Sequence, residues 1–220
     1  MGVKRASSNL HETLRQQLAV MLDLQQTMNA KVTADWATRN FQWYRAIWVE
    51  CAEMLDHYGW KWWKKQTPDI EQVQLELVDI WHFGLSLLLL RDTDRDALLD
   101  QMIGELTTPV VTASEFPQEL EAFALTTLAS KDFDIQAFNR LMVSIGLSFD
   151  ELHTRYVGKN ILNLFRQDNG YQTGEYVKQW SGREDNEHLV EVVATLDPSS
   201  PGFKDTLYLA LETRYRESNN

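Results

Sequence analysis

Apolar residues return every three to four positions along most of the chain, the spacing that gives a helix one apolar face. Leu14, Leu18, Met21, Leu22, Leu24 and Met28 fall near one side of a first predicted helix, Leu10 to about Asn29. A second, aromatic-rich helix is predicted from Ala34 to about Tyr58. Gly59 closes it, a residue suited to the left-handed turn at a helix end. After the loop GWKWWKKQTPD, Pro68 favours the start of a third helix from about Asp69 to Leu90. Arg91–Asp96 is a charged break. From Ala97 to about Asp134 the pattern is less regular, with Pro109, Pro117 and the β-branched stretch Thr107–Thr112. Residues 92–135 therefore read as an insert of shorter helices with the character of a mobile flap. Helix is expected again from Ile135 to about Phe165, then from Glu184 to Thr195 and from Lys204 to Arg216. DNGY at 168–171 forms a turn, and PSSPG at 198–202 separates the last two helices. Neither a repeat nor a low-complexity segment is present, and strands have little support. The predicted class is all-α, a helical bundle forming a single domain over 1–220.

Composition agrees. Gly accounts for 10 and Pro for 5 of 220 residues, so turns are few and helices long. A hydrophobic share of 44% with 8 Trp supplies a core and excludes a mainly disordered chain. The charge is −11, from 21 basic and 32 acidic residues, which argues against a nucleic-acid partner. Cys51 stands alone, so no internal disulfide can form, and a reducing, cytoplasmic setting is expected. The longest uninterrupted apolar run, Leu87–Leu90, falls short of the ~20 residues of a spanning helix, so no membrane association is expected. Met1–Asn9 is polar and lacks the core of a signal peptide.

The chemistry concentrates in two short sequences, Glu50-Cys51-Ala52-Glu53 and Glu76-Leu77-Val78-Asp79. Residues three apart share a helix face, so each helix presents two carboxylates side by side. The two helices are consecutive and joined by a short loop, and antiparallel packing would bring all four acids together. Acidic pairs at this spacing are ordinary on wet helix faces; Glu184 and Glu187 form another. Three features separate the double pair from that background. Neither Lys nor Arg occurs from Ala46 to Trp60 or from Ile70 to Leu90, and the flanking residues are strongly apolar. A partly buried cluster of like charges cannot stay ionised without a counter-ion. Oxygen-only ligands at this density suit a hard cation, Mg²⁺ or Mn²⁺, of the kind shared with substrate phosphates.

Lys159, Asn163 and Arg166 lie at i, i+4 and i+7, placing two cations and an amide on one helix face. Alone they would be a solvated stripe. Opposite an acidic cluster they become a clamp for a polyphosphate. Gln25 and Asn29, one turn apart, carry amides able to read the edge of a base. Trp60, Trp62 and Trp63 are core or stacking residues. Cys51 has no His and Asp partners to make it a nucleophile, and His57 and His82 are ligands or hydrogen-bonded neighbours.

These residues resemble a known family. ExxE on one helix and ExxD on the next is the signature of the all-α nucleoside triphosphate pyrophosphohydrolases. LQQTMN at 24–29, ECAE at 50–53 with WKWW at 60–63, ELVD at 76–79, KNILNLFRQDNGYQTGEY at 159–176 and WSGREDN at 180–186 are similar to the dimeric dUTP diphosphatase branch. The resemblance implies an Mg²⁺-dependent homodimer that hydrolyses dUTP, and also dUDP, to dUMP, keeping uracil out of DNA. It implies metal ligation by Glu50, Glu53, Glu76 and Asp79; the base that activates water is then expected to be Glu50, with Glu53 as the alternative, unless both are ligands only. It further implies phosphate contacts from Lys159, Asn163 and Arg166 and nucleoside contacts from Gln25, Asn29 and Trp62. Gln172 departs from the pattern, standing where relatives often carry Lys after NGY. Two other readings compete: a dCTPase/dUTPase or broader dNTP pyrophosphohydrolase of the same fold, and an acidic helical interaction protein without catalysis.

Overall fold

A computed structural model describes residues 2–91, 94–110 and 114–218, with side chains from His11 onward. Its central element is the hairpin of α2 (Trp43–Tyr58) and α3 (Ile70–Arg91). The helices run antiparallel, with Trp43 beside Phe83 at one end and His57 beside Glu76 at the other. Gly59 caps α2 at φ 87°, and a Cβ added there would lie 2.8 Å from that of Gln66. Glycine is thus required both by the left-handed turn and by the closeness of the returning loop.

α1 (Gly2–Val32) crosses this hairpin and packs on α3, α4 and α7. α4 (Arg95–Thr107), α5 (Phe116–Ser130) and α6 (Ile135–Ser144) close one flank, and α7 (Phe149–Asp168), α8 (Asp185–Val193) and α9 (Phe203–Ser218) the other. At the centre the fully buried Trp81 stacks on Phe138 at 4.9 Å and meets Phe133 edge-on at 5.8 Å. Ten residues of α3 are buried. By length and composition this helix could cross a membrane, contrary to the expectation from its uninterrupted apolar run. The packing of its flanks by the other helices accounts for its apolarity as that of a core element.

Several boundaries differ from the sequence expectation. The first helix begins at Gly2. The predicted second helix is broken: Trp36–Thr38 is a single 3-10 turn, Asn40 takes a positive φ, and α2 starts only at Trp43. The expected Ile135–Phe165 helix splits at Ile145–Ser148, where Gly146 adopts φ 68° and Ser148 starts α7 with a reciprocal capping box to Glu151. Segment 92–135 is more regular than predicted. Leu98, Leu99, Met102 and Ile103 of α4 and Phe116, Leu120 and Phe123 of α5 enter the core; residues 92, 93 and 111–113 of that insert lie outside the described residues. A short antiparallel ladder was not anticipated. β1 (Gln179–Trp180) pairs with β2 (Arg183–Glu184) through Ser181 and Gly182, both at positive φ, the geometry of a tight hairpin turn. Trp180 anchors the hairpin among Phe165, Tyr176 and Tyr215.

Gly84 faces the Phe133 ring so closely that a Cβ would fall 2.6 Å from it. Phe133 is held by Trp81, Phe123 and Phe138 and has nowhere to retreat. Gly84→Ala should therefore cost about 1–3 kcal/mol of stability through overpacking, despite alanine's better helix propensity. Urea unfolding checks this; a gain in stability would show that the ring yields.

Candidate active site

The antiparallel hairpin does bring the acids together. Single carboxylate oxygens of Glu50, Glu76 and Asp79 lie within 4.8 Å of one another, all three side chains half-buried. Glu53 is exposed and stands outside this tight group, although its charge still acts on all three. Expected as four equals, the acids form a half-buried trio with a fourth at the rim. Like-charge repulsion favours that arrangement, because Glu53 keeps its hydration.

Burial raises the pKa of each member of the trio, and the neighbouring carboxylates add to the effect. Glu50 is pushed to about 8, chiefly by desolvation and then by the charges of Asp79, Glu53 and Glu76. Glu76 is raised by burial and by Asp79, with the Lys159 ammonium opposing. Asp79 is raised by burial even though Lys159 pairs with it directly. His57 Nε2 lies 3.5 Å from Glu76 Oε1 at the open side of the cluster.

α7 supplies the opposing cations. A cleft of about 820 Å³ separates the N-terminal half of α3 from α7 and α8. Its walls include Glu76, Asp79, Lys159 and Arg166, so acidic and cationic halves share one space. Lys159 reaches across to Asp79. Arg166 turns instead to Asp185, donating from Nε and Nη2 at 2.8 Å each, while its Nη1 donates to Asn163 Oδ1 at 3.0 Å. The predicted stripe therefore divides between two acids, only one of which the sequence analysis singled out.

Gln25 and Asn29 sit deeper, in a buried network beside the acids. Gln25 Oε1 accepts from the Tyr156 hydroxyl at 2.9 Å and contacts His82 Nδ1 at 3.1 Å. Its Nε2 donates to Asn29 Oδ1 and Ser86 Oγ, and Asn29 Nδ2 donates to Ser86 as well. With Gln25 Oε1 as acceptor, His82 carries its proton on Nδ1. Nε2 is then a buried acceptor, without a partner among the described residues. Burial together with the nearby Lys159 lowers the pKa of His82 to about 3, so the ring is neutral. Trp62 is far more exposed, at 89%, and stands away from the cleft with an edge-on contact to Trp63.

Among the cleft-side residues that escaped the sequence analysis are Arg155, Lys178, Asp185 and Asn186. Arg155, Lys178 and Asn186 line the cleft and Asp185 underlies it. Arg155 was legible, being one helical turn before Lys159. Asp185 and Asn186 were quoted within WSGREDN without a role, and only the hairpin fold brings them and Lys178 to α7. Glu184 and Glu187, the comparison pair of acids, form the capping box of α8.

The chain is an all-α bundle in which clustered carboxylates face a cationic helix across one cleft. The dUTPase family profile matches residues 17–171, the greater part of the chain, and the chain belongs to that family. It is accordingly an enzyme of dUTP hydrolysis. No curated protein matches the chain in sequence.

The raised Glu50 pKa sets a pH dependence for the divalent-free protein. The folded state holds a proton on Glu50 that the unfolded chain releases near 4.5, so stability falls as pH rises from about 4.5 to about 8. Glu50→Gln should therefore raise Tm in EDTA at pH 8, with the gain shrinking towards pH 5. Thermal melts across that range provide the check; a gain independent of pH would mean that Glu50 is ionised throughout.

Proposed function

We propose that the enzyme hydrolyses dUTP to dUMP and pyrophosphate, with dUDP as a second substrate, at the cleft between α3 and α7. The observation that carries this reading is the placement of Glu50, Glu76 and Asp79 opposite Lys159 and Arg166, in a family of dUTP-hydrolysing enzymes. The donor set fits Mg²⁺: oxygen-only, half-buried, and too crowded with like charge to ionise fully without a cation. Glu50, Glu53, Glu76 and Asp79 would hold it, and when bound it supplies charge neutralisation and a more acidic water. Mn²⁺ is an admissible substitute on the same chemistry.

The chain's own residues do the rest. Glu50, whose proton affinity burial and the neighbouring acids raise, takes the proton from the attacking water; Glu53, hydrated at the rim, is the second choice. Lys159, Asn163 and Arg166 hold the phosphates and stabilise the charge that grows on the leaving pyrophosphate. On the base side, Asn29 keeps one N–H beyond those it gives to Ser86. His82 Nε2 is closed to solvent, with Gln25 fixing its tautomer; opening of the surrounding side chains would let it accept the N3–H of a uracil and repel the unprotonated N3 of a cytosine. Trp62 is a stacking partner only if the loop carrying it moves or a second subunit lies beside it. We infer a cytoplasmic homodimer from the family resemblance and the single, buried, free cysteine.

Glu76→Gln should lower kcat by about 100-fold or more while leaving far-UV helicity unchanged. Steady-state pyrophosphate release with dUTP, dCTP, dTTP and UTP measures both this loss and the base preference. Addition of EDTA should stop turnover. Near-normal rates for Glu76→Gln would remove the acid cluster from the mechanism, and equal rates on dCTP would remove His82 from base selection.

A further inference from the structure

Asp185 is completely buried, yet it is the first residue of a helix and its neighbour Asn186 is exposed to the cleft. Its carboxylate is fully occupied. Arg166 donates to both oxygens, the Tyr176 hydroxyl donates to Oδ2 at 2.8 Å, and the backbone N–H of Asn186 adds a further bond. The α8 N-terminus favours a negative charge at this position. The Asp185 backbone is fixed too, its N–H donating to Lys178 O at 2.9 Å. Arg166 is mostly buried and sits on the cleft wall.

The planar guanidinium makes this arrangement directional. Asp185 takes the edge formed by Nε and Nη2, in the bidentate geometry that fixes the plane of the fork. Asn163 takes one hydrogen of Nη1. One hydrogen on each Nη is left, and that of Nη2 lies along the Nη1–Nη2 edge, next to the edge the carboxylate takes. A guanidinium free to rotate would lose that aim, and the entropy of fixing it would fall on substrate binding.

We propose that Asp185 is a positioning residue: with Tyr176 it locks the Arg166 guanidinium so that the Nη1–Nη2 edge faces the phosphate chain of the nucleotide. This rests on the reading of Arg166 as a phosphate contact. It also gives the small hairpin and α8 a role in the reaction, because they carry the anion that aims a cation of α7.

A double-mutant cycle decides it. Asp185→Asn retains the volume and one acceptor but sets an N–H₂ against the guanidinium. It should lower kcat/KM for dUTP by about ten- to a hundredfold in the otherwise native enzyme, and by less than about twofold when Arg166 is already Ala. Binding of deoxyuridine, which has no phosphate, should stay within about twofold of native. Tyr176→Phe removes a single bond to the same carboxylate and should show a smaller loss that again disappears in the Arg166→Ala background. It carries the test should Asp185→Asn fail to fold. Losses of equal size in both backgrounds, or weakened deoxyuridine binding, would overturn the proposal by marking a merely structural role. Native kinetics in Arg166→Ala would overturn the phosphate reading itself, a result distinct from an unproductive Arg166→Ala with additive losses.

Discussion

Three carboxylates that share a space of under 5 Å and are half-hidden from water cannot all carry their charge. That electrostatic constraint organises the molecule. It is relieved from two directions: by protons, for which burial raises the affinity of Glu50, and by the Lys159 ammonium drawn onto Asp79. The fold accepts the expense of crowding acids because the hairpin of α2 and α3 is welded by apolar residues on its other faces, among them Ile47, Cys51, Met54, Leu77, Val78 and Trp81.

The cations obey a similar logic. Neither Lys159 nor Arg166 is left idle on a surface; each is held by an acid that matches its chemistry. A point-like ammonium meets a carboxylate that a divalent ion would also claim. A planar guanidinium meets a carboxylate that is buried, saturated with donors and outside the acid cluster. The first pairing is exchangeable and the second is architectural, a difference that depends on burial more than on distance.

The acid half of the site was legible because helical spacing is local. The i,i+3 acids of ExxE and ExxD needed only the 3.6-residue period and one short loop to be brought together. The same rule placed Gln25 near Asn29 and Lys159 near Arg166. What the sequence withheld was long-range. Glu53 has the same local spacing as Glu50, but its exposure depends on how α2 is rotated against α3. Asp185 could not be assigned to Arg166, because a two-residue ladder and a turn at Ser181–Gly182 decide where α8 begins. The helix breaks at 33–42 and 145–148 were missed for a related reason: Asn40 and Gly146 interrupt stretches whose apolar spacing continues undisturbed on either side. The regularity of α4 and α5 was obscured because their prolines lie at a helix start or between helices, where they punctuate without breaking.

The knot formed by Tyr156, Gln25 and His82 has a consequence for how this molecule fails. It ties one helix from each of three distant stretches of chain, α1, α3 and α7, at the level of the acid cluster. The acid-bearing and cation-bearing walls consequently owe their alignment to buried contacts rather than to surface loops. Such a catalyst has no separately meltable working part: whatever loosens its interior misaligns its walls at the same moment.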